Sequence, residues 1–108
     1  MAVINPTVKV TKKNTREVSW GPGATADTYT PYILRGAVPV YAAVQVDAGT
    51  LTITGSLKSG GTQHLLKDEQ GVDISLADGE MSEIRDRPVS IVPIPVGTVS
   101  EVTLLLQY

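Results

Sequence analysis

Wherever apolar residues recur along this chain, they do so at every second position. Val8 and Val10 alternate with Thr7, Lys9 and Thr11, and Val40, Ala42, Val44 and Val46 alternate with Tyr41, Ala43 and Gln45. Leu51, Ile53 and Leu57 alternate with Thr50, Thr52 and Thr54, while Val72, Ile74 and Leu76 alternate with Asp73 and Ser75. A period of two puts one set of side chains on one face of a strand and the other set on the opposite face. No stretch carries the 3.6-residue period of an amphipathic helix. The closing stretch, "GTVSEVTLLLQY", reads as a final strand with Val102, Leu104 and Leu106 on its core face. Leu105 lies on the other face with Thr103 and Gln107. Together with Tyr108 it marks a candidate contact with another segment or subunit.

The breaks between these runs have turn chemistry. Asp47-Ala48-Gly49, Ser59-Gly60-Gly61, Ala77-Asp78-Gly79 and Pro95-Val96-Gly97 recur about every ten residues, the spacing of an antiparallel sandwich or small barrel. Ser59-Gly60-Gly61 is a hairpin signal. In "RPVSIVPIPVG", Pro88, Pro93 and Pro95 cannot donate to a sheet ladder, so a short strand over 88–92 is expected, at an edge or ending at Pro93.

The first 39 residues differ. A strand is expected at 16–20, but "GPGATADTYTPYILRGAVPVY" reads as a long loop. Residues 1–16, if extended, would reach about 50 Å. The fold class expected is therefore all-β: a single antiparallel β-sandwich of about seven or eight strands with an extended N-terminal arm. Residues 1–39 form the arm and long loop, and residues 40–108 the core, of one domain.

Composition sharpens this picture. The 108 residues suit one domain, and with no Phe and one Trp the core must be built from Val, Ile and Leu. The absence of Cys excludes disulfides, thiolate metal sites and a cysteine nucleophile. No secretory leader pattern and no run approaching about 20 apolar residues is present, so no membrane partner is expected.

A formal net charge of −2 gives no overall field to attract nucleic acid. The distribution is uneven, however. Lys9, Lys12, Lys13 and Arg16 lie near the start, whereas Asp68, Glu69, Asp73, Asp78, Glu80, Glu83 and Asp86 crowd the segment 68–86. These are two solvated surfaces, or basic and acidic regions that meet between neighbouring subunits.

The search for chemistry finds little. His64 is the only histidine, so a zinc site built on several His or Cys ligands cannot form within one chain. No G-x-S-x-G is present, and "DEQGVDISLADGE" lacks the spacing of a calcium loop. "GPG" and "SGG" match no phosphate-binding signature and read as turns. No catalytic, cofactor-binding or metal-binding residue is assigned, no cofactor is called for, and the chain is expected not to be an enzyme. Trp20, Tyr29 and Tyr32 are candidate anchors that pin the arm onto this sandwich or onto a neighbour. The alternative makes them a stacking platform for sugars. The interface candidates are thus Lys9, Lys12, Lys13, Arg16, Trp20, Tyr29, Tyr32, Leu105 and Tyr108.

From residue 40 onward, "VDAGTLTITGSLKSGGT", "GVDISLADGE" and "IRDRPVSIVPIPVGTVSEVTLLLQ" form a pattern that resembles the small β-sandwich virion proteins of tailed bacteriophages. There a "G-x-L-T-I-x-G-S" strand precedes a "G-G-T" hairpin, and a "V-S-x-V-T-L-x-L" strand closes the chain. The resemblance implies a non-enzymatic head decoration or cement protein, or a fibre-like one, located in the virion after synthesis in the host cytoplasm. It implies major capsid or other virion proteins as partners, and a homo-oligomer, with a trimer favoured. The alternatives are a carbohydrate-binding or receptor-binding module and a tail or neck connector. No catalytic or ligand residue carries over, because the pattern contains none.

Overall fold

The computed structural model describes residues 2–34, 39–58 and 61–108, and among them every regular element is a β-strand. In chain order the first strands are β1 (Val3–Ile4), β2 (Thr7–Lys12), β3 (Thr15–Trp20), β4 (Gly23–Ala24), β5 (Thr28–Tyr29) and β6 (Tyr32–Ile33). β7 (Tyr41–Val46), β8 (Thr50–Ser56), β9 (His64–Leu65), β10 (Ser75–Leu76) and β11 (Met81–Glu83) follow. β12 (Ser90–Val96), β13 (Thr98–Val99) and β14 (Val102–Gln107) complete the set.

The strands form two main sheets. One has the order β11-β7-β14-β3-β2; the other runs β10-β8-β12-β6, with β9 also on β8. Two short pairs, β1 with β5 and β13 with β4, sit outside them. The chain crosses between the sheets repeatedly: β7 to β8, β10 to β11, β11 to β12 and β12 to β14 each change layer. The Asp47-Ala48-Gly49 and Ala77-Asp78-Gly79 turns are thus corners between layers rather than hairpins. Gly49 and Gly79 take φ of 98° and 73° there, a region open to glycine at little steric cost. β8 does fold back on β9, with Thr54 opposite Leu65, as the hairpin signal implied; Ser59 and Gly60 of that turn lie outside the described residues.

Alternation decides what is buried. Val18 and Trp20 of β3, Val44 and Val46 of β7, and Val102, Leu104 and Leu106 of β14 all point inward and are at most 1% exposed. They meet Leu51 and Ile53 of β8 and Ile91 of β12 in one continuous core. The final strand behaves as the sequence pattern implies: it lies between β7 and β3, with its three core-face residues sealed.

Two expectations need correction. The described residues of the expected arm, 2–34 and 39, are not an extended arm attached to a sandwich. β2 and β3 are integral to the first sheet, β6 pairs with β12, and Thr28 N–H donates to the Ala2 carbonyl at 2.8 Å beside the parallel β1–β5 pair. The chain measures 33 × 28 × 28 Å, which leaves no room for a projecting arm of about 50 Å. The physical reason lies in β3, whose Val18 and Trp20 supply core volume that residues 40–108 do not. The boundary between arm and core at residue 39 therefore has no counterpart in the fold.

The second correction concerns β12, which does not stop at Pro93 but runs on through Pro95 to Val96. Leu66 N–H donates to the Ile53 carbonyl at 2.9 Å, so the backbone of Ile53 aims away from β12. Pro93 sits opposite Ile53, and Pro95 opposite Leu51, two residues along. Both prolines therefore occupy positions where a strand N–H would not have bonded to β8, and the ladder loses nothing. β6 pairs with β12 only at Ser90 and Ile91, so the prolines lie beyond its last rung.

Candidate interaction surface

The inside of the molecule is almost wholly apolar among the described residues. The core holds Val, Leu, Ile, Ala, Trp and Tyr side chains, and the only buried polar residues among those described are Thr54, Ser56 and Ser90. Thr54 donates its hydroxyl to the Val92 carbonyl at 3.0 Å, and Gln63 Nε2 reaches Ser90 Oγ at 3.2 Å. No group of three or more His, Cys, Asp or Glu side chains converges among the described residues.

The basic residues expected near the start gather at one border of the first sheet. All six residues of β2 are exposed, and Lys9, Lys12 and Lys13 project from it and from its turn into β3. Asn14 completes that turn at φ 68°, a left-handed conformation that Asn tolerates better than most residues. Arg16 is different: it is half-buried, and its guanidinium lies 5.1 Å from the centre of the Tyr108 ring. Burial pushes the Tyr108 hydroxyl above its ordinary pKa.

The aromatic candidates turn inward. Trp20 is fully enclosed, with its indole N–H on the Thr30 carbonyl at 2.8 Å, so it anchors the 28–33 segment within this chain and offers no ring to a neighbour or a sugar. Tyr29 is 8% exposed, and burial raises its hydroxyl's pKa. Tyr32 packs half-buried against the core. An aromatic beside Gly21-Pro22-Gly23 carries no sequence signal that separates a core anchor from an exposed one, so burial had to be observed.

Leu105 sits half-buried on the outer face of the first sheet, between Ala43 of β7 and Glu17 of β3. With Tyr41, Gln45, Met81 and Thr103 it floors a shallow groove of about 190 Å³. Tyr41 donates its hydroxyl to Glu83 Oε1 at 3.4 Å at the groove's end, and its pKa is raised by partial burial and by that carboxylate.

Much of the acidic segment is spent on local structure, which spacing alone did not reveal. Asp68 Oδ1 accepts from the amides of Gln70 and Val72 at 2.9 and 3.0 Å, and Asp86 Oδ2 accepts from Lys67 N–H at 2.8 Å. Asp73 pairs with the Lys67 ammonium. Glu80 Oε1 likewise accepts from Ala77 N–H at 2.6 Å, yet Glu80 and Glu83, beside and on β11, stay exposed at the far border of the first sheet. His64 is exposed on the rim of a cleft of about 330 Å³ over Gly55, Leu66 and Pro88, with Asp86 and Arg87 also lining it. Arg87 is turned back onto the Ile84 and Arg85 carbonyls at 3.4 and 3.0 Å, which leaves the cleft largely apolar.

No helix among the described residues is long and apolar enough to cross a membrane. No protein-family model matches the chain, and no curated protein matches it in sequence. Solved structures do share its fold. A cupin-2 domain containing protein from Shewanella frigidimarina superposes with a TM-score of 0.51 at 14% identity, over 95% of this chain and 79% of its own. A putative ethanolamine utilization protein Q from Salmonella typhimurium gives 0.51 at 15% identity, over 94% and 67%. A cupin domain from Bordetella pertussis gives 0.50 at 14%, over 99% and 96%. These likenesses assign an all-β fold of the cupin, double-sheet jelly-roll kind. They overturn the functional expectation drawn from the phage resemblance. The fold neighbours are cupin-domain proteins, and nothing in these likenesses supports a virion protein, whether as shell decoration or tail connector. The Gly, Thr and alternating aliphatic pattern that carried the resemblance is common to antiparallel double-sheet folds in general.

Proposed function

We propose that this chain is a non-enzymatic jelly-roll module that acts by associating with further copies of itself. The observation that carries the reading is β2: a strand of six exposed residues that, among the described residues, is paired on one side and open on the other. Val8 and Val10 stand opposite Val18 and Arg16, on the side of the sheet that elsewhere forms the core. They are nevertheless 47% and 69% exposed. The core-facing side of the sheet thus runs past the molecule's own cover, and burying those side chains would contribute on the order of 1 kcal/mol each. The apolar core of the described residues is consistent with this, since a site for a small molecule would need convergent polar groups in a concavity.

Sedimentation velocity over a wide range of protein concentration tests the proposal. A species heavier than the 11.4 kDa chain that grows with concentration is the expected result. A monomer throughout would overturn it.

A further inference from the structure

Self-association, if it occurs as proposed above, leaves open which surfaces meet, and the borders of the first sheet answer that. Its order places β2 at one border and β11 at the other. Among the described residues β2 pairs only with β3, and β11 only with β7. Val46 N–H donates to the Glu80 carbonyl at 3.2 Å, and Ile84 N–H to the Ala42 carbonyl at 2.9 Å. Residues 80, 82 and 84 therefore face β7, and by alternation the backbones of Met81 and Glu83 face outward.

The two borders are opposite in charge. Lys9, Lys12 and Lys13 line the β2 side; Glu80 and Glu83 line the β11 side, and all five are exposed. A two-fold pairing of β2 with β2 would set lysines against lysines, and β11 with β11 would set glutamates against glutamates. Only unlike borders bring opposite charges together.

We propose that β2 of one copy of this chain lies alongside β11 of the next, so that the sheet continues from molecule to molecule, head to tail. Direction follows from topology. All four pairings in the sheet are antiparallel, so the first and fifth strands run the same way. Copies that keep their cores on the same side of the sheet therefore join through a parallel pair. The faces also agree. Lys9 shares the outer face with Glu17, and Glu83 shares it with Ala43, so the two side chains emerge on the same side of the joined sheet. Val8 and Val10, on the core side, gain the next copy's β11 as a neighbour. Contacts between unlike patches either close into a ring or run on as a filament.

A charge swap tests the arrangement. Lys9→Glu with Lys12→Glu makes both borders acidic, and Glu80→Lys with Glu83→Lys makes both basic. Each variant alone should associate at least about tenfold more weakly than the parent at low salt. An equal mixture should recover the parent's mass, because every border then has an opposite partner, and this recovery also shows that both variants are folded. If the parent is monomeric, the self-association reading falls and this proposal with it. If the parent associates and the variants associate equally well, only the border assignment falls.

A second measurement uses the absence of Cys. With Lys9→Cys and Glu83→Cys in one chain, the pair is four strand spacings apart, about 19 Å, too far to bridge internally. Oxidation should give a covalent ladder of copies. Cross-linking of Lys9→Cys alone would instead show a two-fold β2 contact and overturn the head-to-tail arrangement.

Discussion

The indole N–H of Trp20 donates to the carbonyl of Thr30 at 2.8 Å, and this bond joins the inner face of β3 to the segment that carries β5 and β6. It satisfies the one polar group of a side chain that is otherwise fully enclosed. Trp20→Phe should keep the fold and lose about 1–3 kcal/mol, since the Thr30 carbonyl is left without its donor. Trp20→Ala should lose about 3–5 kcal/mol through the cavity it opens. Urea denaturation followed by far-ultraviolet circular dichroism measures both, and a Trp20→Phe variant as stable as the parent would argue against the hydrogen bond's contribution.

Leu104 and Leu105 are neighbours in sequence and opposites in environment, one sealed in the core and the other half-buried on the outer face. Leu104→Ala should cost about 2–5 kcal/mol. Leu105→Ala should cost less than about 1 kcal/mol, since its side chain is only half-buried on the outer face and leaves no sealed cavity behind. Thermal unfolding of the two variants side by side decides the matter, and similar midpoints would contradict the strand's orientation.

Gly55 has no room for a side chain. A Cβ there would lie 2.8 Å from the Ser90 carbonyl oxygen, 2.9 Å from Leu66 Cδ2 and 2.9 Å from Pro88 Cβ. Gly55→Ala should destabilise by about 1–3 kcal/mol through overpacking. Gly21, with nothing within 4 Å of the corresponding position, is the control, and Gly21→Ala should stay within about 0.5 kcal/mol of the parent. Indistinguishable denaturation midpoints for the two variants would mean that β8 and β12 yield more than their geometry suggests.

Asp27 accepts hydrogen bonds from the amides of Ala2 and Ala24, both at 2.9 Å, and these hold its carboxyl below the ordinary value of 3.8. A carboxylate whose folded pKa is depressed stabilises the fold fully above the unfolded value, and that contribution is lost as pH falls through the folded one. The stability gap between the parent and Asp27→Asn should therefore be widest at neutral pH and close in acid below about pH 4. Urea midpoints taken along a pH series provide the check, and a gap that does not change with pH would rule out the linkage.

What the sequence disclosed, and what it withheld, follows from the range of the forces involved. Alternation is a local property of the backbone, so β7, β8 and β14 were legible, down to the inward set Val102, Leu104 and Leu106. The participation of β2 and β3 was not, because pairing Thr15–Trp20 with Val102–Gln107 depends on residues at the other end of the chain. The prolines misled for a related reason. Pro93 and Pro95 break a strand only if their missing N–H would have faced a partner, and that parity is set by the register with β8 rather than by the prolines. Of the interface candidates, the lysines were readable as exposed from their charge, whereas Trp20 and Tyr29 were not, since an aromatic ring serves a core as well as a surface. The open borders of the first sheet are a matter of strand order, which no local pattern encodes.

The position of β14 has a consequence for how the molecule is made. It follows every other strand in the chain, yet it lies at the middle of its sheet, between β7 and β3. As the polypeptide leaves the ribosome, β3 and β7 emerge first and wait, each with an apolar face and an empty side, for the strand that will join them. Contacts of such long sequence separation fold slowly, and the waiting intermediate exposes unpaired strand edges. The first sheet therefore cannot be completed until Val102–Gln107 have been translated, and chaperone demand should peak in the interval before that strand arrives.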